Sequence, residues 1–293
     1  MGNGERRAAQ EPGRILDRWV EVEGIRVHYL QSGASRSTVL LLHGGSVDSA
    51  ALSWRLTIPS LSPMFRVIAL DLPGFGRSDR LDLDYSSRFY IHFVSRFVEK
   101  MALGPLSVVG LSMGGLISLG FALRHPLQVS SLVLVDSAGL GRRIPLARVA
   151  CLAARMPRLY QACRKLTAAR RGALAAALGI MVHRPRVLTE GLLDEVWRAF
   201  RLSGEGRAWV SFLRSEIDWQ GFRTCFLDQV DQIRAPTLLV HGSHDRLIPL
   251  AHSQKAHRLI RGSRLCILQD CGHWAPREKP AEFNQILLGF LAR

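Results

Sequence analysis

Eight short apolar runs, separated by segments of a different rhythm, restrict the fold of this 293-residue chain more than any other feature. RWVEVE, IRVHYL, TVLLLH, RVIALD, LSVVGL, SLVLVD, PTLLVH and RLCILQ are short and rich in Val, Leu and Ile, the signature of strands. Only Gly24 separates the first two, which predicts a hairpin. The later runs alternate with segments of helical spacing such as SSRFYIHFVSRFVEKMA and PAEFNQILLGFLAR, so a mostly parallel sheet flanked by helices is expected. The alternation fails once, between strands six and seven. From about Gly139 to Asp228 there is no convincing strand pattern, and helix-like stretches are broken by Pro145, Pro157, Gly172, Pro185 and Gly204. An insertion at that point lies over the carboxyl ends of the strands, where such sheets bind ligands, and is read as a cap. The expected organisation is a disordered leader (1–14), a core in two parts (15–139 and 229–293) and a helical cap (140–228). Hydrophobic residues make up 47% of the chain, enough for a large core.

The stretch SVVGLSMGGLISLGFALRHP holds the sharpest local signal. Its β-branched start gives way to Leu116, Leu119, Phe121, Ala122 and Leu123 at helical spacing, ending at His125-Pro126. Ser112 therefore sits on a strand-to-helix corner, inside a Gly-x-Ser-x-Gly pattern. A serine on so tight a bend stores strain that usually has a functional reason. As a nucleophile it needs a base, and the base needs an orienting acid. Two loops after strands offer them: LLVHGSHDRLIP puts Asp245 past the seventh strand, and LQDCGHWAPREKP puts His273 past the eighth.

The chain order Ser, Asp, His, together with GLSMGG, LLLHGG at 40–45 and DLPGFGRSD at 71–79, resembles the α/β-hydrolase superfamily. The resemblance covers nearly everything outside the leader and cap. It implies an eight-stranded, mostly parallel α/β-hydrolase fold with a helical cap after strand six. It also implies roles: Ser112 as nucleophile, His273 as general base and acid, Asp245 as orienting carboxylate, and the backbone N–H groups of Gly45 and Met113 as the oxyanion hole. Asp136, at the end of strand six, is the competing acid. His43 is expected to be structural and Asp71 to serve its own turn, while His241 and His244 flank the acid without an evident task. Serine at the corner points to acyl transfer on carboxylic esters of small to medium acyl chain, with no metal or cofactor. The ending CGHWAPREKPAEFNQILLGFL also resembles the meta-cleavage-product hydrolases, which cut carbon–carbon bonds with the same triad. Two departures separate the chain from them: HGGSVDSA stands in place of a Gly-Pro-Gly-type loop, and Leu111 stands where that family tends to carry Asn. A perhydrolase, a lyase or a ligand receptor on the same scaffold is a further alternative.

The formal charge is +15, and only four of the 39 basic residues are lysines. Without a nucleic-acid motif or an aromatic-basic platform this skew is no argument for nucleic-acid binding. The five cysteines are scattered, with no Cys-x-x-Cys pair, and read as reduced; neither a signal peptide nor a membrane span is evident, so a cytoplasmic location is expected. From Ser137 to Thr189 there are ten arginines and Lys165 but no Asp or Glu. Leu152, Met156, Leu159, Cys163 and Leu166 follow helical spacing within this basic stretch. It reads as a solvated basic face over a core-facing stripe, as an interfacial segment weakly attracted to anionic lipid, or as an attractor of anionic substrate. Trp197, Phe200, Trp209, Phe212, Trp219 and Phe222 supply either an acyl pocket or ordinary packing, and Ser46, Trp197, Trp209 and Trp274 are the candidate pocket residues.

Overall fold

In the computed structural model, which describes residues 13–202 and 206–293, every expected strand is present. They are β1 (Leu16–Val22), β2 (Ile25–Ser32), β3 (Thr38–Leu42), β4 (Arg66–Leu70), β5 (Leu106–Leu111), β6 (Val129–Val135), β9 (Thr237–Gly242) and β10 (Arg264–Leu268). They form one sheet in the order β1-β2-β4-β3-β5-β6-β9-β10. Strand β2 runs antiparallel to β1 and β4, and every other neighbouring pair is parallel. The β1–β2 hairpin turns through Glu23 and Gly24, both at positive φ, as the shortest hairpin turns require.

The period-2 alternation divides the strands between two cores. Leu40, Leu42, Val108, Leu132 and Leu134 face one side, where they meet α3 (Ser87–Lys100) and α4 (Met113–Arg124) through Tyr90, Phe93, Phe97, Leu116 and Phe121. Val39, Leu41, Val109, Val133 and Val240 face the other, where Trp54 of α1 (Ala50–Trp54), Ile58 of α2 (Ile58–Leu61), and Phe283 and Leu287 of α12 (Pro280–Leu291) close the layer. Each fully buried Val, Leu or Phe contributes about 1.5–3 kcal/mol. The remaining helices on the sheet are α10 (Leu250–Leu259) and α11 (Ala275–Glu278).

Between β6 and β9 lies a helical insertion of α5 (Ala147–Arg155), α6 (Pro157–Ala169), α7 (Arg171–Leu178), α8 (Glu190–Leu202) and α9 (Arg207–Glu216). It straddles the carboxyl edge of the sheet: Cys151, Ala154 and Phe212 join one core, and Leu174, Leu178, Leu192 and Val196 join the other. Two expectations are corrected here. The stretch read as free of strands contains a small hairpin, β7 (Ile217–Asp218) with β8 (Gly221–Phe222), whose turn is held by Asp218 Oδ1 accepting from Gln220 and Gly221 N–H. And the stripe Leu152, Met156, Leu159, Cys163, Leu166 faces outward; α5 packs instead through the small residues Ala147, Cys151 and Ala154. The expected leader falls almost wholly outside the described residues, and all five cysteines are unpaired.

Candidate active site

Strand β5 ends at Leu111 and α4 begins at Met113, so Ser112 alone makes the corner, at φ 54° and ψ −113°. Such sparsely populated geometry costs about 1–3 kcal/mol and must be held from outside. Ser112 N–H donates to Val135 O at 2.9 Å, and Ser112 O accepts from Leu116 and Ala138 N–H at 3.1 Å each. The first turn of α4 presses directly on the end of β3: a Cβ at Gly114 would lie 2.3 Å from Leu42 O. Met113, as the first helical residue, presents one of the N–H groups that a helix start leaves without an intrahelical partner.

Asp245 and His273 project from the loops after β9 and β10. His273 Nδ1 lies 2.7 Å from Asp245 Oδ2, with side chains 4% and 0% exposed. An ionised carboxylate only accepts, so Nδ1 carries the proton and Nε2 keeps its lone pair. Asp245 Oδ1 accepts from Leu247 N–H at 2.7 Å and Ile248 N–H at 3.0 Å. Burial pushes the Asp245 carboxyl up, but His273 and His241 together hold it below the ordinary carboxylate range. Ser112 stands at the end of β5, two strands across from β9. No hydrogen bond joins its Oγ to His273 among the described residues, so the structure pairs His273 with Asp245 and leaves the Ser112 hydroxyl unbonded to either.

Asp136 follows β6 but takes another part. It is fully buried, accepts from Gly242 N–H at 2.8 Å, and is raised well above the usual carboxylate range by burial and by the nearby Asp245, against the pull of His241. Its histidine neighbour is His241, at 3.9 Å, while His273 Nδ1 is taken by Asp245. His241, without a task in the sequence reading, lies with Nε2 3.4 Å from Asp245 Oδ2 and 3.1 Å from Ile248 O, and with Nδ1 2.8 Å from Ser253 Oγ. It buttresses the acid from behind. His244 stacks on His183 of the insertion at 3.8 Å.

The loop after β3 is held by a residue that the sequence reading passed over. Asp48, buried, accepts from Gly44 N–H (2.8 Å), Ser49 N–H (2.8 Å) and Ser53 Oγ (2.6 Å), which sets the course of Gly44 and Gly45. His43 is structural, its Nδ1 donating to Gly44 O at 2.7 Å while Nε2 accepts from Leu72 N–H at 3.1 Å. Asp71 does more than serve its turn: it accepts from Arg77 N–H (2.9 Å) and Ala50 N–H (2.7 Å), and His28 Nδ1 lies 2.7 Å away. Glu278 was also missed. Its carboxylate accepts from Gly272 N–H at 2.7 Å, beside the base, and from His183 and Arg184 N–H of the insertion at 2.9 and 2.7 Å.

Residues 37–280 match the family described as alpha/beta hydrolase fold. The chain belongs to that family. It is 28% identical over 304 residues to a 2-hydroxy-6-oxo-6-(2'-aminophenyl)hexa-2,4-dienoic acid hydrolase of Metapseudomonas resinovorans, covering 100% of this chain and 97% of the relative. It is 31% identical over 278 residues, 92% of each chain, to a 2-hydroxy-6-oxononadienedioate/2-hydroxy-6-oxononatrienedioate hydrolase of Escherichia coli strain K12. Among solved structures, a membrane phospholipase A described as a bacterial virulence factor superposes with a TM-score of 0.80 at 26% identity, covering 99% of this chain and 89% of the other.

Within this hydrolase the candidate pocket residues separate. Trp209 of α9 lies directly on the oxyanion-type loop, where a Cβ at Gly45 would fall 2.1 Å from Trp209 Cζ3, and it stacks on Phe212 at 5.5 Å. Ser46, at φ 67°, is half-buried and within hydrogen-bonding reach of Tyr160 of α6. Trp197 is instead turned to the outside of the insertion, where its indole N–H donates to Ala168 O and Arg201 covers its ring. Trp274 is buried in the second core and donates to Ser53 Oγ at 3.3 Å. Among the described residues two groups carry metal-ligating atoms close together, His183/His244/Asp270 and Asp136/His241/Asp245. In the first the rings stack nearly parallel, so their lone pairs do not converge, and Asp270 is paired with Arg184. In the second Asp245 is engaged by His273.

Proposed function

We propose that this hydrolase cleaves carboxylic esters of small to medium acyl chain through an acyl-enzyme on Ser112. The observation that carries the reading is the 2.7 Å pair of His273 Nδ1 with Asp245, which leaves Nε2 available as a base, together with the strained corner that carries Ser112. Nε2 removes the Ser112 proton as Oγ attacks the carbonyl carbon, and Asp245 balances the imidazolium. The N–H groups of Gly45 and Met113 receive the developing oxyanion, where loss of one donor typically costs about 2.7–4 kcal/mol. His273 then returns the proton to the departing alcohol, and a water activated by the same imidazole hydrolyses the acyl-enzyme. The insertion acts as the cap, with Trp209 and Ser46 at the acyl side of the pocket. The five unpaired cysteines fit a reducing, cytoplasmic setting.

A second reading, carbon–carbon cleavage of a dienoate, is favoured by the relatives at 28% and 31% identity and by a buried cation on the insertion side, Arg164, next to Tyr160 and hence to Ser46. Against it stands Leu111, an apolar residue buried before the nucleophile where those enzymes tend to carry an amide. Fluorophosphonate labelling with mass mapping tests the machinery: a Ser112 adduct, lost in Ser112→Ala and His273→Ala, is expected. Turnover of graded p-nitrophenyl esters against bleaching of a yellow dienoate then separates the readings. Dienoate turnover that greatly exceeds ester turnover would replace the first by the second.

A further inference from the structure

The outward stripe on the insertion is large. Val149 (63% exposed), Leu152 (46%), Met156 (44%), Leu159 (48%) and Leu166 (59%) stand on α5, α6 and the joint between them. The spacing 149, 152, 156 and then 159, 166 keeps them on one face of each helix, while the opposite faces carry the buried Cys151 and Ala154 and the buried Arg164. Arg148, Arg155, Arg158 and Lys165, all exposed, flank the stripe. Among the described residues no carboxylate forms an ion pair with Arg148, Arg158 or Lys165, in contrast to Arg142, Arg171 and Arg184 of the same insertion, which are paired with acids. No Asp or Glu occurs between 137 and 189, so these helices carry no acid of their own, and the acids closest by are Asp82 and Asp84, which share a cavity with Pro157 and Gln161 at the start of α6.

We infer that the α5–α6 face seats the enzyme on an anionic phospholipid surface, with the apolar side chains in the acyl boundary and the arginines among the headgroup phosphates. Charge decides the partner. A second copy of this chain would bring two strongly positive faces together, and a neutral apolar partner would gain nothing from the flanking cations. An anionic leaflet satisfies both features at once, since each basic group near such a surface strengthens binding by about fivefold and each side chain that leaves water adds its own burial. The inference goes beyond the proposed reaction and does not depend on which acyl bond is cut.

Co-sedimentation of the full chain with vesicles tests it. Binding is expected to phosphatidylcholine vesicles containing about one-third phosphatidylglycerol, weakened by high salt, with little binding to phosphatidylcholine alone. Leu152→Ser/Leu159→Ser and Arg148→Glu/Arg158→Glu are each expected to lower the partition coefficient at least about tenfold while leaving turnover of p-nitrophenyl acetate and Ser112 labelling unchanged. No binding to anionic vesicles by the wild type, or wild-type binding by either variant, overturns the inference. So does sedimentation velocity showing wild-type dimers that the leucine variant dissociates, because the face then belongs to a second copy. Loss of Ser112 labelling in the wild type would sink the proposed reaction and leave the vesicle result standing.

Discussion

At the scale of single residues, Asp245 and His241 respond to pH in opposite senses. The Asp245 carboxyl is held below its ordinary range, so its stabilisation is complete above about pH 4 and is lost as pH falls. His241 is raised: burial lowers it, but Asp245 and Asp136 outweigh that, so its contribution is complete below about pH 6.5 and fades as pH rises. In urea titrations Asp245→Asn should therefore be less stable than wild type at pH 7, and the gap should shrink by about 1.4 kcal/mol per pH unit below about pH 4. A gap that stays constant down to pH 3 would mean that the pairing energy has been misassigned. Ser112, Asp245 and His273 were legible because each falls where a strand pattern ends. Asp48, His241 and Glu278 were not: they act by bonding backbone N–H groups or another side chain across the fold, and no spacing in the chain announces such partners. The one trace was the placing of all three within segments already singled out for chemistry.

At the scale of elements, the loop after β3 and helix α9 must be considered together, because Trp209 occupies the space above Gly45. Gly45→Ala should lower kcat/KM by tenfold or more through displacement of the loop, and Gly45→Ala/Trp209→Ala should recover part of that loss by removing the obstacle. Steady-state ester kinetics on the two singles and the double form the cycle; strict additivity would show that the contact does not transmit. Glu278→Gln replaces an acceptor by a donor facing either Gly272 or the insertion, and hydrogen bonds to a charged group contribute about 1.5–3 kcal/mol. A fall in kcat larger than any change in KM is expected, with partial rescue by Glu278→Asp; an equal change in both would assign Glu278 to packing alone. The insertion was where sequence and structure parted. Helical spacing reveals that a stripe exists but not which side meets the body, and here the narrow face of Ala147, Cys151 and Ala154 packs closely while the larger side chains are left outside. The two-residue strands β7 and β8 are too short to register as any period.

For the molecule as a whole, the eight strands, the first hairpin and a mostly parallel sheet flanked by helices were readable from the amino acids, whereas the order of the strands was not, because alternation assigns side chains to faces and says nothing of which strand lies beside which. The +15 charge acts globally: self-repulsion opposes the compact state, and counter-ions relieve it. Raising sodium chloride from 10 to 150 mM should increase the melting temperature by about 2–4 °C in calorimetry, whereas an unchanged or lower value would place the positive groups among enough local acids to cancel their mutual repulsion. No helix among the described residues is long and apolar enough to cross a membrane.

The carboxylate of Glu278 has a mechanical consequence. One side chain grips both the turn that carries the imidazole and the return of the insertion at His183 and Arg184, so raising that end of the roof would displace His273 as well. The other flank of the roof is stapled too, for on α9 Glu216 accepts from Ser87 N–H at 2.8 Å and Ser211 Oγ from Tyr85 N–H at 2.9 Å, so the insertion is tied down on both sides of the sheet edge.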